Sequence, residues 1–186
     1  MFDYNVDDRI QLKLLEPRYA EEIYHIIVND RRYLRQWLPW IDGTNGPEDI
    51  ALFIHSTLEA FKDNNGFHAA IFYQGRIVGC IGLHGIDWQH RKTSIGYWLA
   101  SGFQGRGIMT KSCHALVRHV ILELGINRIE IRAAVQNQRS RAIPERLGFT
   151  NEGTIREAEW LYDHYVDHIV YGLLKREWGA KKDLCI

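Results

Sequence analysis

Cysteine, proline and methionine are all scarce in this chain of 186 residues, at three, four and two copies. The cysteines, Cys80, Cys113 and Cys185, show no C-x-x-C spacing, which argues against a structural zinc site. Their odd number and scatter predict free thiols and a reducing, cytoplasmic setting. Neither sign of charge dominates: Lys plus Arg and Asp plus Glu number 23 each, for a formal net charge of zero. A broad nucleic-acid surface needs a basic field, so no direct nucleic-acid partner is expected and any phosphate site must be local. No apolar run approaches the roughly 18 residues of a membrane span. The start, MFDYNVDDRI, lacks the basic-then-apolar order of a signal peptide. Repeats and low-complexity linkers are absent, so residues 1–186 read as a single domain.

What is present is ordered hydrophobic pattern. Residues 10–15 (IQLKLL) alternate as a strand, and Pro17 opens the helical stretch AEEIYHIIVND. RRYLRQWLPWIDG predicts a short helix stopped by Pro39, and a further helix runs from Pro47 to about Asp63, before DNNG. Strands follow at 67–73 and 76–84, joined at Gln74-Gly75, and at 92–100. Cys113, Leu116, Val117, Val120, Ile121 and Leu124 then recur at helical spacing up to Gly125. RIEIRAAV alternates as a strand, NQRSRAIPERLGF holds a short helix, and strands at about 150–161 and 164–174 close the chain. The order predicts an α/β (α+β) domain around one mixed sheet.

The stretch FQGRGIMTK lies where a strand hands over to a helix. The first N–H groups of a helix have no partner within it, and the helix dipole adds partial positive charge there. Glycines just before such a start let backbone approach a bulky anion without a Cβ clash. Gln104, Gly105, Arg106 and Gly107, followed by Ile108, therefore suit a phosphate or pyrophosphate; a plain tight connection fits the same residues. Two better-known phosphate loops do not fit. A Walker loop needs lysine after the second glycine, and Ile108 follows Gly107; a G-x-G-x-x-G fingerprint starting at Gly105 meets Thr110 in its last place.

The succession IGYWL, FQGRGIMT at a helix start, a strand, and NQRSRAIPERLGF resembles the acetyl-CoA-binding core of the GCN5-related N-acetyltransferase (GNAT) superfamily. The family pattern Q/R-x-x-G-x-G/A lies over Gln104–Met109; Gln104 and Gly107 match, whereas Met109 replaces a small residue. TNEGTIREAEWL, DHYVDHIVYGLLKREW and RQWLPW further resemble the ribosomal-protein-serine/alanine N-acetyltransferase (RimL/RimJ-like) branch, over about Arg9 to Trp178. The resemblance implies a GNAT fold, a mostly antiparallel central sheet flanked by helices, with acetyl-CoA as co-substrate and no metal.

It also implies roles. Backbone N–H groups of Trp98, Leu99 and Ala100 would align the pantetheine arm and polarise the thioester carbonyl; their side chains read equally as core. Gln104 to Thr110, including Met109, would hold the pyrophosphate, and Asn137 the pantetheine or a turn. Glu159 matches the branch's base-carrying glutamate, and alternation puts Glu157 on the same face two residues away. An α-amine has a pKa of about 8, so a modest base suffices. Many relatives place a tyrosine acid four residues before the Gly-Phe pair; here that position is Pro144. The role passes to Ser140, which also reads as an N-cap for a helix at 141–147. Trp37 and Trp40 would wall the acceptor pocket, or simply pack. His84, at a strand end, reads as an aid to the amine or as a core or surface histidine. His164 and His168, four apart on a strand and so about 13 Å apart, cannot share one metal.

The implied reaction is direct attack of a primary amine on the thioester in a ternary complex, because no cysteine or lysine stands where the family uses a nucleophile. The acceptor implied is a protein N-terminus, possibly ribosomal. A small-molecule amine such as an antibiotic or polyamine is one alternative, and a non-catalytic acyl-CoA sensor another. Homodimerisation stays open.

Overall fold

A computed structural model describes residues 2–180. Cys185 lies outside the described residues. The elements run β1 (Asp3–Asn5), β2 (Ile10–Leu14), α1 (Ala20–Asn29), α2 (Arg31–Leu34), α3 (Pro47–Lys62), β3 (His68–Tyr73), β4 (Arg76–Asp87) and β5 (Lys92–Leu99). They continue α4 (Ile108–Leu122), β6 (Arg128–Ala134), α5 (Gln138–Arg146), β7 (Thr150–Leu161), β8 (His164–Leu174) and α6 (Lys175–Ala180). The eight strands form one sheet in the order β1-β2-β3-β4-β5-β6-β8-β7. Every neighbouring pair is antiparallel except β5 and β6, which α4 joins by a crossover.

Each face of the sheet carries its own core. On one face α4 packs Ile108, Cys113, Leu116, Val117, Val120 and Ile121 against Ile81, Ile95, Ile129, Ile131 and Tyr171. That burial follows from apolar residues recurring every three to four positions. On the other face α1 and α3 bury Ile23, Ile27, Ile50 and Ile54 over Ala70, Ile77 and Cys80.

Several sequence expectations need correction. RRYLRQWLPWIDG forms a helix only over Arg31–Leu34; Trp37 and Trp40 stand in turns after it. Pro39 has no N–H and biases Leu38 away from the α region, so the helix cannot extend through the tryptophans. The helix after the β6 strand begins at Gln138, three residues before the expected start. Its N-cap is Asn137, whose Oδ1 accepts the Ser140 N–H at 3.2 Å, so Ser140 is not the cap. The alternation of β7 fails as well. Register shifts between Ile155 and Glu159, and Glu157 takes a positive φ of 49°. This bulge, held by the Glu157 N–H on Asp167 Oδ1 at 2.7 Å, breaks the two-residue period that put Glu157 and Glu159 on one face. β1 is an additional strand, pairing Asp3–Asn5 with Gln11–Lys13.

Leu116 is fully buried between α4 and the sheet. Leu116→Ala is expected to cost about 2–5 kcal/mol of stability, measured by denaturant unfolding.

Candidate active site

The site begins where two strands part. β5 pairs with β4 through Leu99, but its pairing with β6 ends at Ile95↔Ile131. The Ala100 N–H donates to Val78 O at 2.9 Å. An antiparallel ladder alternates, so Trp98 also turns its N–H toward β4, while Tyr97 and Leu99 turn theirs toward the gap. Of the three residues expected to offer backbone donors, only Leu99 does so, and Tyr97 joins it. The reason is one of phase: the Ala100–Val78 bond fixes which alternate residues are already paired.

The gap leads to the glycine turn. Gly105 and Gly107 both have a φ of 73°, the left-handed region that glycine enters without penalty. Gly107 is the N-cap of α4, and the first helical bond is Lys111 N–H to Gly107 O at 3.0 Å. The Gln104 N–H is taken by Ser101 O at 3.3 Å. Among the described residues, no hydrogen bond satisfies the backbone N–H groups of 105–110. Six consecutive amides at a helix N-terminus suit an anion. The Arg106 side chain folds back, donating to Gly102 O at 3.1 Å and lying over Phe103. The Gln104 side chain donates to Tyr33 Oη at 2.5 Å and accepts from Arg139, joining the turn to α2 and α5.

A cleft of about 1400 Å³ runs from this turn, through the strand gap, to the face under α1–α3. It brings together every expected site residue except Ala100 and Arg106. Its lining carries four cations, Lys111, Arg132, Arg139 and Arg146, and a single carboxylate, Glu159. Tyr33, Phe53, His68, Arg139 and His168 also line it without having been singled out from the sequence for such a role.

Ser140 sits in the first turn of α5, beside the gap. Pro144 has no N–H to donate to the Ser140 carbonyl four residues back. The Tyr97 hydroxyl supplies that donor, at 3.0 Å, and stands 3.5 Å from Ser140 Oγ. Burial pushes the Tyr97 phenol well up, the nearby Cys113 thiol adds to this, and the Ser140 bond partly offsets it. Tyr97 therefore stays protonated and holds the first turn of α5 in place. The one cysteine lining the cleft, Cys80, is pushed up to about 12 by burial, which leaves no thiolate for a covalent intermediate.

The end of the cleft under α1–α3 is largely aromatic. The His84 ring lies over Gly96, where any Cβ would meet its Nε2, and the His68 ring lies over Gly82. The two rings pack edge to face, 5.4 Å apart. Burial lowers both pKa values, that of His68 to about 4 with a further push from His84. Trp40 packs edge to face on Trp98, and Phe53 on His68. Glu159 stands across β7–β8 from His168, with Oε2 3.5 Å from Nε2. No grouping of three or more metal-ligating side chains occurs among the described residues.

A family profile described as "Acetyltransferase (GNAT) domain" matches residues 9–150. The chain belongs to the GNAT acetyltransferase family. The Bacillus subtilis (strain 168) protein YdaF is 38% identical over 183 residues, covering 98% of this chain and 100% of its own. A solved RimL, described as a ribosomal L7/L12 alpha-N-protein acetyltransferase in complex with coenzyme A, superposes with a TM-score of 0.90 at 26% identity. It covers 93% of this chain and 98% of its own. The microcin C7 self-immunity acetyltransferase MccE, in complex with acetyl-CoA and AMP, superposes with a TM-score of 0.86 at 30% identity, covering 91% and 94%. This GNAT chain is thus an acetyl-CoA-dependent N-acetyltransferase of the RimL-like branch, which sets the non-catalytic sensor aside. Among the described residues, no helix is long and apolar enough to cross a membrane.

Two predictions follow from these environments. Gly107→Ala leaves room for the new Cβ but strains the left-handed turn by about 1–2 kcal/mol. The relaxed turn misaims its amides, so KM for acetyl-CoA should rise by up to about tenfold in steady-state kinetics. His68 has a folded pKa below its unfolded value, so its contribution to stability is complete above about pH 6.5 and is lost as pH falls toward 4. The loss amounts to about 3 kcal/mol. His68→Gln should flatten the decline of the melting temperature across that window.

Proposed function

We propose that this GNAT enzyme acetylates the α-amine of a protein N-terminus, the amine attacking the thioester directly in a ternary complex. The observation that carries this reading is that Glu159 is the single carboxylate in the lining of the cleft, which also holds aromatic rings and the two neutral imidazoles of His68 and His84. One α-ammonium at the tip of a flexible chain matches one carboxylate. A polyamine would place several cations in a cleft that already holds four and offers no further acid. An α-amine is also easier to deprotonate than a lysine, with a pKa of about 8 against 10.4. The α-N-protein acetyltransferase named for RimL, a relative of similar fold, acts on this class of acceptor.

The residues take the following roles in this reading. The amides of 105–110 grip the pyrophosphate of acetyl-CoA, with Arg139 and Arg146 adding positive charge along the same cleft. The N–H groups of Tyr97 and Leu99 align the pantetheine and stabilise the oxyanion. Asn137, as the cap of α5, fixes the turn that presents Ser140. Glu159 takes the amine proton, and Ser140 Oγ delivers a proton to the leaving sulfur. Trp37, Trp40 and His84 shape the entry of the acceptor.

A second reading has one observation in its favour. Trp40 and Phe53 line the cleft while remaining 39% and 43% exposed. Such free ring faces suit a small-molecule amine bearing a planar group, and MccE is a relative seen with AMP.

The test is free-thiol release from acetyl-CoA with peptides beginning in serine or alanine, polyamines, and amines linked to a nucleotide. Turnover with the peptides is expected. Turnover confined to the nucleotide-linked amines would replace the first reading with the second. With the accepted substrate, Ser140→Ala and Glu159→Gln should each lower kcat by about 10²–10⁴-fold while the affinity for CoA stays within about twofold.

A further inference from the structure

Acetylation of an α-ammonium removes two protons from nitrogen, because the reactant has three N–H bonds and the amide one. One proton's worth is balanced at sulfur when CoA leaves as a thiol, and one is released to water. Both departing protons leave at the acceptor end, where the cleft holds one carboxylate, and a carboxylate carries one proton at a time. Resting on the proposed function, the structure raises the question of where the first proton goes.

We propose that His168 is a positioning residue that relieves Glu159 of its proton between the two deprotonations. Its Nε2 stands 3.5 Å from Glu159 Oε2, and the side chains are 17% and 30% exposed. The pair is thus shielded enough to interact yet still in reach of water. The placement depends on the β7 bulge. A regular hairpin continuing from Glu159↔Val166 would set Glu157, not Ile155, opposite His168. Instead Asp167 accepts the Glu157 N–H, the extra residues bulge outward, and Ile155 lies opposite His168.

The remaining charged groups around the pair leave this role to His168. On β6, Ala134 is the register neighbour of His168, and Arg132, two residues back, is bound to Glu130 at 3.4 Å. On β7, Arg156 and Glu157 are exposed. On β8, Asp167 is engaged by the bulge. His68 and His84, on the same cleft's far strands, are held neutral by burial.

The step balances as follows. An N–H bond of the ammonium breaks and an O–H bond forms on Glu159. That proton moves to His168 Nε2 and from the imidazolium to water. The nitrogen lone pair forms the C–N bond as the carbonyl π pair moves to oxygen. On collapse the C–S bond breaks, its electron pair goes to sulfur, and sulfur takes a proton through Ser140 Oγ that water replaces. The emptied Glu159 accepts the second nitrogen proton and passes it through His168 to water, which accounts for the one net proton released and restores the carboxylate.

The experiment follows kcat/KM from pH 6 to 9.5 for the wild type, His168→Gln and His168→Ala, using the acceptor found by thiol release. His168→Gln should be slower by about tenfold near pH 6.5 and within about twofold of wild type at pH 9, where the amine arrives as free base and sheds one proton fewer. Added imidazole should restore part of the His168→Ala activity, and His168→Gln should add little to Glu159→Gln. Melting curves of all variants report on folding. A ratio constant across pH with no imidazole rescue would reduce His168 to a packing residue and overturn the proposal. Activity of His168→Gln equal to wild type would do the same while leaving the proposed function standing. A wild type that releases no thiol with any amine would remove both.

Discussion

The separation of β5 from β6 after Ile95↔Ile131 is the constraint on which the site depends. A sheet that stayed paired would consume the Tyr97 and Leu99 amides and leave no passage between its faces. The parting leaves backbone donors without a ladder partner, a costly arrangement unless something else satisfies them. The same geometry brings the crossover into α4 through a turn whose two glycines leave six further amides without a partner among the described residues. Unsatisfied main chain is thus concentrated along one line, from the helix start to the strand gap, where a long anionic thioester can complete it.

Around that line the two cores do different work. The α4 face is a dense aliphatic layer that fixes the donors in space. It also contains Tyr97, whose hydroxyl closes the backbone vacancy that Pro144 creates in α5. Proline here removes a helical bond, and the freed carbonyl becomes the point at which the helix carrying Ser140 is tied to the strand that borders the gap. The opposite face carries exposed aromatic rings and glycines beneath two imidazoles.

Periodicity and turn chemistry made much of this readable beforehand. The single mixed sheet, the amphipathic α4 and the glycine turn are all visible as local pattern. The features that escaped depend on phase or on distant partners. Which of Tyr97, Trp98, Leu99 and Ala100 face the gap is decided by a bond to Val78, which the spacing within IGYWLA does not encode. The relation of Glu159 to His168 requires the register of a bulged hairpin. Asn137 rather than Ser140 caps α5 because the helix starts at Gln138, three residues before the start that a Ser140 cap implies. Trp37 and Trp40 lie in the cleft lining but stand in turns, because Pro39 ends the helical stretch ahead of the tryptophans.

The turn between β7 and β8 grips the loop after α2. Tyr162 donates to Leu38 O at 2.5 Å, and Arg35, paired with Asp42, lies 3.9 Å from the Tyr162 ring centre. The segment bearing Trp37 and Trp40 is therefore fastened to the hairpin that carries Glu159 and His168. In the reading proposed above, this fastening makes selectivity and speed mechanically one property: reshaping the entrance to admit a different acceptor would also shift Glu159 and His168.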